Sequence, residues 1–163
     1  RLPGFALDEN AVARGLGAVE WPARLQRLKR GPLVEALPAG WELYLDGGHN
    51  PGAAEVLARQ LALWRDRPLH LIYGMLTTKD AAGFLAPLAP FAADLHAVAI
   101  AGETHTMSAE TAAQAARAAG IKAEAANSPG DALSKIIARA RAPSRILICG
   151  SLYLAGQVLR ENG

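Results

Sequence analysis

The chain has 163 residues, 51% of them hydrophobic and 20% charged, with a formal net charge of +2. That length accommodates one domain with a real core, and the composition is that of a globular rather than a disordered chain. Two surplus charges, with no run of five or six like charges, exclude a strong electrostatic pull toward nucleic acid.

The predicted elements begin with a short helix in DENAVARGLGAV (8–19), inside a stretch (1–20) that reads as linker and helix from an interdomain junction. Next, ARLQRLKRGPLVEAL (23–37) alternates weakly and is expected to form an edge strand with a turn at Gly31-Pro32. It would pair antiparallel with the strand that follows. From there apolar runs and amphipathic stretches alternate: WELYLD (41–46) with PGAAEVLARQLALW (51–64), LHLIYG (69–74) with KDAAGFLAPL (79–88), and ADLHAVAIA (93–101) with SAETAAQAARAAG (108–120). KAEAA (122–126) then leads into SPGDALSKIIARA (128–140), and RILICG (145–150) into SLYLAGQVLREN (151–162). Ala53, Leu57, Leu61 and Trp64 fall on one face of the first of these helices.

Asn50-Pro51 and Ser128-Pro129 each set a capping side chain before a proline at the first helical position, and Gly120 and Gly163 sit where helices should stop. Strand–helix alternation of this kind requires a mostly parallel sheet covered on both faces. The expected fold is therefore α/β and doubly wound, Rossmann-like, with about six strands, one of them an antiparallel edge strand near the N-terminus.

In open α/β sheets ligands bind outside the carboxyl ends of the strands, which selects loops 46–50, 74–79, 101–108, 126–128 and 150–151. The first, in LYLDGGHNPG, is the richest. Asp46 ends its strand, Gly47 and Gly48 free the turn, and His49 projects beside a helix N-terminus that favours an anion. Such a loop is either a nucleotide-binding edge or a turn shaped by geometry alone. Neither G-x-G-x-x-G nor G-x-x-x-x-G-K-[ST] occurs, so the chain carries no dinucleotide fingerprint and no P-loop.

Arg24, in WPARLQ, is either a phosphate clamp or an exposed strand residue with a snorkelling stem. Trp21 covers either a purine or the core. Lys79-Asp80 opens a helix, where an acid satisfies the helix dipole, so a structural role is expected. His105 lies on the ligand side of the sheet, whereas His70 and His96 fall inside strands as packing residues. The four histidines lack metal-ligand spacing. Cys149 reads as a small buried hydrophobe, and as the single cysteine it points to a reducing compartment, the cytoplasm. Ser151 reads as a helix cap. No apolar run is long enough to span a membrane, and RLPGFALDEN is no signal peptide. The first residue is not Met, which suggests either a processed product or, as is expected here, a fragment of a longer protein.

GLGAVEWPARLQRL, LYLDGGHNPGAAEVL, YGMLTTKDAAGFL and ILICGSLYLAGQVL together resemble the carboxyl-terminal domain of bacterial folylpolyglutamate synthase/dihydrofolate synthase, in the Mur ligase superfamily. The resemblance implies an ATP-dependent amide ligase: ATP phosphorylates a pteroate or folate carboxylate, and the amine of L-glutamate attacks the acyl phosphate. Its small-molecule substrates would be dihydropteroate, folates, L-glutamate and ATP. An N-terminal P-loop ATPase domain, absent from this chain, would hold most of the ATP and Mg²⁺. Residues 1–163 would form a single C-terminal domain, inert without that partner, and no nucleic acid or membrane would be involved.

The resemblance also implies roles for individual residues. Arg24 and Asp46 match ATP-contacting positions, His49 a catalytic position near the phosphates and glutamate, and Ser151 a glutamate-binding serine; no metal ligand is carried over. Ala23 stands where the family has glycine, which matters if that position needs positive φ. The segment 27–40 is also long, and a longer hairpin is expected. Two other readings stand beside this one: a UDP-muramoyl amino acid ligase domain, and a stand-alone module that binds a nucleotide or partner without catalysis.

Overall fold

The computed structural model describes residues 8–19 and 21–162; of the expected linker, residues 1–7 and Glu20 lie outside that range, as does Gly163. Helix α1 (Glu9–Gly17) starts on the Asp8 cap. Strand β1 (Gln26–Arg27), helix α2 (Pro32–Glu35) and strand β2 (Glu42–Leu45) follow. The chain then alternates through α3 (Pro51–Leu61), β3 (Leu69–Tyr73), α4 (Ala81–Leu85), β4 (Ala92–Ala97), α5 (Ala109–Ala118), β5 (Ala123–Ala125), α6 (Pro129–Arg139), β6 (Arg145–Cys149) and α7 (Leu152–Asn162). Side-chain caps account for the starts: Asn50, Asp80, Ser108 and Ser128 each accept an amide from the first turn of the helix that follows.

The six strands form one sheet in the order β1-β2-β6-β3-β4-β5. β1 runs antiparallel to β2, and every other pair is parallel. The central β3 and β6 are buried along their whole length, as strands covered on both faces must be. One core lies under α3, α4 and α5, around Leu57, Leu71, Phe84 and Ala113. The other lies under α6 and α7, around Leu45, Ile148, Leu133 and Val158. The doubly wound α/β fold with an antiparallel edge strand is therefore present as expected.

Three local expectations are corrected. The edge strand is only two residues long, and segment 27–40 forms α2 rather than a longer hairpin. Gly31 at φ +93° breaks the extended run, Pro32 cannot continue a ladder but suits a first helical turn, and Asn162 accepts the Leu33 amide at 2.8 Å. Leu33 and Val34 thereby reach the second core. Helix α3 buries Ala54, Leu57 and Leu61, with Ala53 only partly covered, and it stops before Trp64, which packs on Tyr44. Helix α4 ends at Leu85, because Pro87 has no amide to extend it.

The site follows from the winding. β2 and β6 are neighbours, yet α3 leaves β2 toward one face while α7 leaves β6 toward the other. Loops 46–50 and 150–151 part there, and a crevice opens at the carboxyl ends of the strands.

Candidate active site

The loop after β2 is fastened by its own acid. Asp46, 7% exposed, accepts the Gly48 amide on Oδ1 at 2.7 Å and the Leu25 amide on Oδ2 at 2.7 Å. The first bond closes the Gly47-Gly48 turn, and the second ties in a segment 21 residues earlier. Gly47 donates its amide to the Ala23 carbonyl at 2.8 Å. Arg24 therefore stands in a turn held on both sides by the loop that carries His49.

That turn is strained. Ala23 has φ +56° and Leu25 φ +42°, a left-handed conformation that costs L-residues on the order of 1–2 kcal/mol each. The position where the resembled family has glycine thus does take positive φ, and alanine occupies it here. The strain persists because three hydrogen bonds and a buried Ala23 methyl fix the backbone. Arg24 itself is exposed and forms no ion pair among the described residues. Its Nη1 passes 3.4 Å from the point a Cβ on Gly47 would occupy.

His49 Nδ1 lies 3.0 Å from the Gly47 carbonyl oxygen. A carbonyl only accepts, so in the neutral ring Nδ1 carries the proton and Nε2 is the free acceptor. Arg24, Asp46 and His49 line one cleft of about 590 Å³, together with Leu25, Gly47, the α3 side chains Ala53, Val56, Leu57, Arg59 and Gln60, and Leu63 just beyond α3. Val56 and Leu63 expose apolar surface along its rim.

His49 also lines a second crevice of about 240 Å³, shared with Leu76, Thr78, Lys79, Gly150, Ser151, Leu152 and Tyr153. This crevice lies at the parting of α3 and α7. Gly150 is needed there: its φ is +106°, and a Cβ would stand 2.6 Å from the Gly74 carbonyl oxygen. Ser151 is 3% exposed and caps α7, its Oγ accepting the Tyr153 amide at 3.0 Å; the hydroxyl proton remains available.

The structure thus brings Arg24, Asp46 and His49 together and sets Ser151 across from His49. Thr78 and Lys79, for which the sequence suggests no ligand role, line the same crevice. Asp80 caps α4 as expected, accepting the Gly83 amide at 2.8 Å, and that sufficient explanation hid the lysine beside it. The signal was the position of loop 74–79 at a strand's carboxyl end.

The remaining candidates lie elsewhere. His105 is exposed and lines neither space. Trp21 is 71% exposed, which removes the core-covering alternative. Cys149 is buried, and burial pushes its thiol well above the usual range, as suits a packing residue. His70 and His96 are buried but polar in their contacts, facing Asp94 at 2.7 Å and Glu124 at 3.1 Å respectively.

The fold is thus a doubly wound sheet with an open cleft at its switch point and an arginine and a histidine on the cleft wall, and its sequence carries no P-loop motif. A family model described as "Mur ligase, glutamate ligase domain" matches residues 26–152, and the chain belongs to that family. The chain is 30% identical over 160 residues to the dihydrofolate synthase/folylpolyglutamate synthase of Escherichia coli K12, covering 98% of this chain and 35% of that one. A Mycobacterium tuberculosis folylpolyglutamate synthase complexed with ADP superposes with a TM-score of 0.79 at 30% identity, covering 94% of this chain and 35% of that chain. A bifunctional folylpolyglutamate synthase/dihydrofolate synthase with Mn, AMPPNP and L-glutamate bound gives 0.77 at 25% identity, covering 96% and 36%. The chain thus spans about a third of the length of these relatives. Among the described residues, no helix is long and apolar enough to cross a membrane.

Proposed function

We propose that this chain is the carboxyl-terminal domain of an ATP-dependent ligase that adds L-glutamate to dihydropteroate and to folates, completed by an N-terminal ATPase domain. The observation that carries the proposal is the shared cleft of Arg24, Asp46 and His49, which adjoins through His49 the crevice of Lys79 and Ser151. The folate branch, rather than a UDP-muramoyl ligase or a stand-alone module, is favoured by the similarity to folylpolyglutamate synthases along nearly the whole chain.

In the reaction, the γ-phosphoryl group of ATP passes to a substrate carboxylate, releasing ADP. The glutamate amine then attacks the acyl carbon and expels phosphate, leaving an amide. Arg24, which pairs with no acid among the described residues, offsets charge on the transferring phosphoryl oxygens. Asp46 keeps its Oδ lone pairs not used by Leu25 and Gly48 for a nucleotide hydroxyl. His49 Nε2 accepts the proton that the glutamate ammonium must lose before it attacks. Lys79 and the Ser151 hydroxyl hold a glutamate carboxylate in the adjoining crevice.

Mg²⁺ neutralises the phosphates when bound, and we assign it to the partner domain. In support, among the described residues no group of three or more His, Cys, Asp or Glu side chains comes together, and both Asp46 oxygens already hold backbone amides. The test is ATP-dependent transfer of labelled L-glutamate to dihydropteroate and tetrahydrofolate by the full-length gene product. Arg24→Ala should lower turnover by roughly 10²-fold or more. Absence of glutamate transfer, or an unchanged rate in the variant, would refute the proposal.

A further inference from the structure

We propose that Gln26 is a positioning residue for Arg24: its side-chain carbonyl, by accepting the Ala23 amide, holds the left-handed turn that aims the guanidinium into the cleft. The inference rests on the reading of Arg24 as a phosphate contact and adds a residue to which no role has been given.

Arg24 sits between two non-glycine residues of positive φ, Ala23 and Leu25, so its direction depends on a backbone that alanine and leucine would leave if released. Three hydrogen bonds keep them there. The Leu25 amide and the Ala23 carbonyl are held by Asp46 and Gly47 of the neighbouring loop. The third is the Ala23 amide donating to Gln26 Oε1 at 2.9 Å, from within the segment itself. Ala23 is 3% exposed, so water does not readily replace a lost acceptor. Gln26 is a fixed anchor because it is a β1 residue, paired in register with Leu45 immediately before Asp46. One side chain therefore links the sheet edge to the turn. Without it, Ala23 can relax toward the extended region, and the Arg24 Cα–Cβ bond turns with it. The guanidinium then leaves its place over Gly47.

A double-mutant cycle in the full-length gene product separates positioning from plain stability. Gln26→Met is nearly isosteric but lacks the acceptor, Gln26→Glu keeps an acceptor oxygen, and Gln26→Ser is polar but too short to reach the Ala23 amide. Each is measured with Arg24 present and in an Arg24→Ala background, for kcat, KM for ATP and thermal midpoint. Residues that act as a unit couple strongly, so Gln26→Met and Gln26→Ser should lower kcat/KM for ATP by about 10-fold or more with Arg24 present and by less than about 2-fold without it. Gln26→Glu should stay within about 3-fold of the parent. Equal fold-losses in the two backgrounds, or a lowered thermal midpoint with unchanged kcat/KM, would overturn the positioning role alone. If Arg24→Ala by itself leaves kcat/KM unchanged, the reading of the cleft fails first and this inference falls with it.

Discussion

Asp46 accepts the Leu25 amide at 2.7 Å while its other oxygen accepts the Gly48 amide at 2.7 Å, so one buried carboxylate fastens the turn of Arg24 to the loop of His49. Asp46→Asn replaces one acceptor oxygen with an NH₂ that faces a backbone N–H, leaving a buried donor unsatisfied. The variant should lose about 1–3 kcal/mol of stability in this domain alone, read as a lowered urea midpoint. An acid serving only as a ligand contact would leave that midpoint where it is.

The parts of this site that were legible in the sequence are those whose chemistry is local. Asn50-Pro51 and Ser128-Pro129 announce helix starts because cap and proline act within one turn, and both caps are in place. The strand–helix alternation fixed the winding, and the winding fixed which loops meet. What remained hidden depends on distant partners. Pro32–Glu35 is helical because α7 supplies Asn162 to the Leu33 amide, 129 residues away in sequence. Gln26 acquires meaning only once Ala23 is seen at φ +56° with its amide on that side chain. Lys79 was visible as a letter but stood beside a cap that already explained the stretch.

Ala23→Gly should be close to neutral for stability. Glycine removes a left-handed penalty of roughly 1–2 kcal/mol. It loses a buried methyl worth about 0.8 kcal/mol and adds about 0.4–1 kcal/mol of unfolded-chain entropy. The terms cancel to within about 1 kcal/mol. The same change at Ala113, fully buried in α5, has no strain to release and should cost about 2 kcal/mol from helix propensity and the methyl together. Chemical denaturation of both variants checks the contrast, and equal losses would mean that Ala23 is not strained.

Gly47→Ala tests the space between Arg24 and Leu152. The backbone of Gly47 is not left-handed, so alanine fits its conformation; the obstacle is space. A Cβ there meets the Leu152 side chain, with Cγ at 3.2 Å, and stands 3.4 Å from Arg24 Nη1. Leu152 is about half exposed and can move, so stability should fall by less than about 1 kcal/mol. Turnover of the full-length enzyme should fall by about 10-fold as Leu152 is pushed within the crevice it lines with His49 and Ser151. Leu152→Ala in the same chain should restore part of it, and a double variant no better than Gly47→Ala would show that the displaced Leu152 is not what disturbs the site.

His96 gives the fold a pH dependence in a window of its own. It is 1% exposed, and its charged neighbours are Asp94 on its own strand, His70 and Glu124 on the flanking strands, and Arg139 of α6. Burial lowers its pKa below 6.5; the two carboxylates pull it up, Arg139 and His70 pull it down, and burial prevails. As pH drops below 6.5 the unfolded histidine takes a proton while the folded one still resists, so the unfolded state holds more protons and stability declines. The decline can be no steeper than about 1.4 kcal/mol per pH unit, and it levels off once folded His96 is protonated as well. Asp66, held at about 2 by Arg145 and then Arg67, acts with the same sign but in a more acidic range, losing its share only below the ordinary carboxylate value of 3.8. The two effects therefore separate along the pH axis. Urea midpoints at pH 7.5 and pH 5.5 should differ in the parent and converge in His96→Gln, which keeps polarity but cannot titrate. A variant that retained the full difference would move the titration to another group.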